Sequence, residues 1–213
     1  MAEGAGPVKV SRDSEKSQER ILRAATAEFA RYGLGGARVD RIAERAGANK
    51  RMLYYYFGNK DALFLAALES RYAHIRRAEQ GLRLDALAPS EGIRRLIAFT
   101  WNYYLKHPEF LTLLNSENLH RARHLRRSRQ ITTMNSPLVA MLRDLLQRGA
   151  RKGEFRRGVD PVQLYISIAG LGYFYLGNRH TLSTIFERDL LAARNKSERL
   201  KHMTELVLGY LRR

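Results

Sequence analysis

Apolar residues recur along this chain at every third or fourth position, and no stretch alternates convincingly. That period predicts helices and no strand. Ile21, Leu22, Ala25, Phe29 and Tyr32 share one face of a helix starting near Ser17. Gly33 ends it, and Gly35-Gly36 make a loop. A short helix over 39–46 follows, with Ile42, Ala43 and Ala46 apolar. Gly47-Ala48-Asn49 breaks the pattern, and a third helix over 50–56 carries Met52 and Leu53, with Phe57 just beyond. Asn59, after Gly58, reads as the N-cap of a fourth helix over 60–79.

The remainder continues in the same period, with helices over 90–106, 108–120, 128–152 and 197–211. Pro108 suits a first helical position, and Pro137 kinks or restarts the helix it falls in. Asp160-Pro161-Val162-Gln163 joins a capping Asp, a proline at the first position and a glutamine at the third, a strong helix start. The apolar run 164–176 inside that helix is short of the roughly 20 residues a bilayer requires, so it reads as a buried helix. Residues 1–16 lack periodicity and read as a disordered arm. The fold class is therefore all-α, divided into the arm 1–16, a three-helix unit 17–63 and a larger helical domain 64–213.

The three-helix unit has the internal logic of a helix-turn-helix. Two short helices that cross closely need a small residue on the first, a turn residue tolerant of positive φ, and an aliphatic residue on the second facing the core. Ala43, Gly47 and Leu53 fill those roles. The outer face of the second helix offers Asn49, Lys50, Arg51, Tyr54 and Tyr55, all donors suited to phosphates and base edges in a major groove. Arg51 can pair bidentately with a guanine edge. Lys60 stands at a helix N-terminus that already favours an anion, and Arg38 just before the second helix is a further phosphate anchor.

Composition strengthens this reading. The 213 residues carry a net charge of +17, a field that attracts polyanions. Double-stranded DNA is the expected partner and an anionic membrane surface the rival; a non-specific nucleic-acid-binding protein is the alternative function. The absence of cysteine excludes disulfides, thiolate zinc sites and a cysteine nucleophile, and makes a reducing cytoplasm the expected location. Met1–Lys16 has no apolar run that could serve as a signal peptide. Motifs of hydrolases, P-loops, zincins and dinucleotide-binding folds are missing, and no enzyme, cofactor or metal is expected.

The run Ile21-Leu22, Ala25, Phe29, Tyr32-Gly33, then Val39 through Gly47, then Lys50, Leu53 through Phe57 and Asn59 through Leu63 closely resembles the N-terminal domain of TetR-type bacterial transcriptional regulators. The resemblance covers about residues 17–65; the remainder is similar in organisation only. It implies a homodimer on an inverted-repeat operator, released by a small effector held in the C-terminal domain, most often as a repressor. An activator or an effector-independent regulator is the runner-up. It places Arg38, Asn49, Lys50, Arg51, Tyr54, Tyr55 and Lys60 where such proteins touch DNA. Arg38 stands where a small hydroxyl residue is common and Arg51 where a small residue is frequent, so base contacts would differ from those of relatives.

Two apolar sets in the larger domain need partners. Leu164, Ile168, Leu171 and Tyr175, with Leu200, Met203, Val207 and Tyr210, form stripes assigned by the resemblance to a dimer interface; intramolecular core is the other reading. Trp101, Tyr104, Phe110, Met134 and Met141, with Asn118 as a polar member, are the candidate lining of a pocket for an apolar or aromatic effector, against the plainer reading as core. The segment 120–129 holds five arginines and two histidines and reads as a solvated loop, a second DNA patch or an anionic-ligand gate. His120 and His124 have a spacing that binds metal on a helix, but the surrounding arginines repel a dication.

Overall fold

A computed structural model describes residues 12–212. Ten α-helices account for the described residues, with no strand among them: α1 (Arg12–Gly36), α2 (Val39–Ala46), α3 (Lys50–Phe57), α4 (Lys60–Gln80), α5 (Pro89–Lys106), α6 (Pro108–Leu119), α7 (Ile131–Arg151), α8 (Pro161–Gly177), α9 (Arg179–Ile185) and α10 (Ala193–Leu211). Of the arm expected over 1–16, positions 1–11 lie outside the described residues, and 12–16 already belong to α1. Within α1 the helix breaks at Gly33, whose φ of 64° lies in the region L-residues avoid. α7 runs through Pro137 without restarting.

Two hydrophobic cores organise the chain. The first gathers Ile21, Ala25 and Phe29 from α1, Ile42, Ala43 and Ala46 from α2, Leu53 from α3 and Leu63, Phe64 and Leu68 from α4. The rings of Phe29 and Phe64 meet edge to face at 5.1 Å, an arrangement worth about 0.5–1.5 kcal/mol beyond area burial. Leu113 of α6 enters the same core. This core therefore reaches past the domain boundary expected at residue 63 and takes in a helix from the larger domain. The second core holds Ile75, Ile93, Ile97, Trp101, Leu142, Leu145, Ile168, Met203 and Leu211. α4 threads both cores, with Leu63, Phe64 and Leu68 in the first and Ile75 in the second.

The segment joining α6 to α7 is tied down at this junction. Glu117 is 2% exposed and accepts from the backbone N–H groups of His124 at 2.8 Å and Leu125 at 2.9 Å. The His124 ring, 1% exposed, lies with Nδ1 2.6 Å from Glu117 and packs against Phe64 of α4. Arg123 reaches Asp61 at 3.0 Å, and the Ser128 hydroxyl donates to Glu69 at 2.6 Å. The segment 120–129 is thus anchored along α4, and the reading as a plain solvated loop fails at His124. His120 makes its own contact, Nδ1 to the Ser116 carbonyl at 2.7 Å. Among the described residues no group of three or more His, Cys, Asp or Glu is arranged around a metal site.

Candidate nucleic-acid interface and ligand pocket

In the three-helix unit, α2 ends at Gly47, whose φ of 59° and ψ of 40° are left-handed. Its N–H and that of Ala48 return to carbonyls of the preceding turn, with Ala48 N–H on Ala43 O at 3.0 Å. A side chain at Gly47 would be strained by the backbone alone. Ala43 is 4% exposed and Leu53 fully buried, so the small and aliphatic positions meet across the turn. Asn49 caps α3, its Oδ1 accepting from Met52 N–H at 2.8 Å. That oxygen is committed to starting the helix, and the Nδ2 donors of the same amide take no part in the cap. Asn59 caps α4 in the same way through Ala62 N–H at 2.8 Å.

Beyond the cap, α3 presents Lys50, Arg51, Tyr54 and Tyr55 outward, Tyr55 being 83% exposed. Lys50 pairs with Asp40 of α2, and Arg38 lies 3.7 Å from the same carboxylate. These pairs are solvent-exposed and weak, so a phosphate can displace them. Lys60 donates to Gly35 O at 3.3 Å, which holds the ammonium beside the loop after Gly33.

α2 has no side-chain cap of its own at Arg38. The cap comes from α1: Glu28 accepts from Arg38 N–H at 3.1 Å and from Arg41 Nε at 2.6 Å. Arg41 then stacks on the Tyr32 ring at 4.2 Å. Glu28 is 2% exposed. Its charge on the apolar face of α1, three residues after Ala25, is the sequence signal that could have found it. Burial pushes the Glu28 carboxyl up, but Arg41 and the Arg38 N–H together outweigh burial and hold it below its ordinary value of 4.5. The folded value lies under the unfolded one, so this stabilisation is present at neutral pH and is lost as pH falls from 4.5 through the lowered value. Glu28→Gln is expected to destabilise the chain by about 2 kcal/mol at pH 7, with the difference from wild type shrinking in acid. Urea denaturation at pH 7 and pH 4 checks both parts.

The larger domain carries an open groove between α8 and α10, about 540 Å³, lined by Leu164, Ser167, Gly170, Leu171, Phe174, Arg199, Leu206, Val207 and Tyr210. Ile168 and Met203, expected at a dimer interface, are fully buried in the second core and have no surface to offer. Leu164 and Val207 form the buried floor of the groove. Tyr175 turns inward against Trp101 and donates to Leu190 O at 3.0 Å, and Leu200 packs against the core. Of the expected stripe, Leu171 and Tyr210 line the groove with part of their surface open. The exposed apolar stripe is instead Val162, Ile166 and Phe174 on α8, with Leu206 and Tyr210 on α10.

A separate cavity of about 380 Å³ lies between α4, α5, α6, α7 and α8. Tyr104, Phe110 and Asn118 line it as the sequence suggests, joined by Tyr72, Arg76, Leu114, Asn135, Tyr165, Ile166, Ala169, Gly170 and Tyr173. Trp101, Met134 and Met141 do not line it. Trp101 is 2% exposed and meets Tyr175 in the core, because the one helical turn separating it from Tyr104 leaves the two rings facing different neighbours. Met141 packs against the same core.

Comparisons with known proteins agree with this architecture. Residues 21–67 match the family model for bacterial regulatory proteins of the tetR family, and residues 89–207 match the tetracyclin repressor-like C-terminal domain. The chain is 40% identical over 203 residues to the HTH-type transcriptional repressor NicS of Pseudomonas putida, covering 95% of this chain and 96% of that protein. It is also 40% identical over 109 residues to the HTH-type transcriptional repressor SCO4008 of Streptomyces coelicolor, spanning 51% of this chain and 53% of that one. Among solved structures, the putative transcriptional regulator SCO4942 from Streptomyces coelicolor shares the fold with a TM-score of 0.67 at 23% identity, over 92% of this chain and 98% of that one.

Proposed function

Because the chain belongs to the TetR family and is therefore a helix-turn-helix DNA-binding transcriptional regulator, we propose that it acts as a repressor: a homodimer on an inverted-repeat operator, released when a small ligand fills the pocket between α4, α5, α6, α7 and α8. The observation that carries this reading is the exposed face of α3, where Lys50, Arg51, Tyr54 and Tyr55 stand on a helix locked to α2 through Gly47 and Leu53. Repression is the role named for the relative NicS. A twofold pair joined along the α8–α10 groove would present two such faces to half-sites about 34–36 Å apart.

In this reading Arg51 reads bases, Lys50, Tyr54, Tyr55 and Arg38 hold phosphates, and Lys60 with the N-terminus of α4 holds one more. Ligand in the cavity touches Tyr72 and Arg76, both on α4. Displacing that half of α4 swings the three-helix unit and spoils the half-site spacing. No described helix is long and apolar enough to cross a membrane.

Arg51→Ala is expected to cost about 1–3 kcal/mol at each half-site of the preferred operator and to relax preference at one base position in each. Lys60→Ala is expected to weaken all duplexes alike and to lower the salt slope by about two, one phosphate contact per subunit. Fluorescence anisotropy against a preferred and a scrambled duplex at several salt concentrations measures both. An unchanged preference in Arg51→Ala removes it from base readout; a loss confined to one sequence in Lys60→Ala removes its phosphate role.

A further inference from the structure

The pocket between α4, α5, α6, α7 and α8 has mainly apolar walls, with one buried cation and several phenols set among them. Arg76 is 6% exposed and lines the cavity beside Tyr72, Tyr104 and Tyr165. Its Nη2 donates to the Tyr165 hydroxyl at 2.6 Å. Tyr165 oxygen accepts in that bond, so its own proton is free for a different acceptor. Burial holds Tyr72 up to about 12 and raises Tyr104 and Tyr165 as well, so all three phenols stay neutral donors.

Arg76 is incompletely neutralised by the protein. Glu79 Oε2 lies 2.8 Å from Nη1, yet neither Glu79 oxygen makes an aligned hydrogen bond, and Arg76 Nε and Nη1 have none either. Burial raises the Glu79 carboxyl against the pull of Arg76, so this ion pair is held at a desolvation cost. No carboxylate lines the cavity itself. A buried cation with unused donors favours an anion in its low-dielectric surroundings. Phe110, Leu114 and the phenol rings supply flat apolar walls, and about 380 Å³ fits a ligand of one or two rings.

We propose that the cavity takes a small planar aromatic anion, its carboxylate facing the Arg76–Tyr165 pair and its ring among Tyr72, Tyr104 and Phe110. This rests on the effector reading above and narrows it to a chemical class. The charge of Arg76 and the proton of Tyr165 hold the carboxylate, and Asn118 is a further polar group of the lining.

Isothermal calorimetry on the full-length chain tests this with four probes: benzoate and 2-naphthoate against benzamide and 2-naphthamide. The acids are expected to bind at least about tenfold more tightly than their amides, as a charge-assisted hydrogen bond implies. Arg76→Met should erase that preference, and Tyr165→Phe, which removes only a hydroxyl, should weaken the acids about three- to tenfold. Amides binding as tightly as acids overturn the anion while the effector cavity stands. An acid preference that survives in both variants moves the anion away from Arg76 and Tyr165 and overturns the assignment. Binding of none of the four overturns the aromatic anion and the effector cavity together.

Discussion

Replacing Phe174 with aspartate is expected to turn the protein into a monomer and abolish its tight binding to a two-half-site operator. Phe174 is 60% exposed on α8, far more than a ring of that size is usually left in a folded chain. Ile166, Leu206 and Tyr210 extend the same patch, and Gly170 leaves open space between them. In a twofold interface each substitution occurs twice, so two carboxylates would be buried near the axis. Losing one central aromatic anchor costs about 2–4 kcal/mol, and losing both weakens the dimer at least about a thousandfold. The second core is untouched, so helix content should match wild type. Light scattering after size exclusion, paired with circular dichroism, reads the outcome. A folded Phe174→Asp protein that remains a dimer would place the interface elsewhere.

The second large effect is expected at Glu117, which belongs neither to the exposed α3 face nor to the lining of the α8–α10 groove. Its buried carboxylate receives His124 N–H, Leu125 N–H and the His124 ring within 2.9 Å. Glu117→Ala leaves those backbone donors buried with no acceptor, a loss of about 3–5 kcal/mol. The His124 ring, seated on Phe64 at 5.0 Å, would lose its fixed orientation against α4. Glu117→Gln keeps one acceptor and should fall between the two. Urea denaturation gives the stabilities. A change below about 1 kcal/mol in Glu117→Ala, the ordinary size of a surface substitution, would show that the α6–α7 segment is not held as described.

The helix-turn-helix was legible because local geometry dictates its residues: a left-handed turn admits Gly47, a close crossing admits Ala43, and Leu53 must face inward. The caps Asn59 and Asp160 were legible for the same reason, each bonding an N–H within its own first turn. The exposed apolar stripe of α8 was not. α8 is apolar on both sides, burying Leu164, Ile168, Gly172 and Leu176 on one and exposing Val162, Ile166 and Phe174 on the other. Periodicity alone cannot decide which side faces the chain's own core. α9 escaped notice because none of its side chains is buried, leaving no apolar period to read. Arg76 and Glu79 gave no signal in sequence; their burial depends on partners from other helices and on the surrounding tyrosines, which spacing does not reveal. The cavity lining was half-legible: aromatics on α5 and α6 were visible, while Tyr165 and Tyr173 were absorbed into an apolar run that looked like plain core.

Selection from random duplex DNA by the purified full-length chain, followed by sequencing, tests the central claim most directly. Twofold, sequence-specific recognition predicts enrichment of an inverted repeat whose half-sites lie about one helical turn, or a multiple of it, apart. Folded protein that enriches no sequence at moderate salt would contradict it, and would leave the +17 charge binding nucleic acid without reading it.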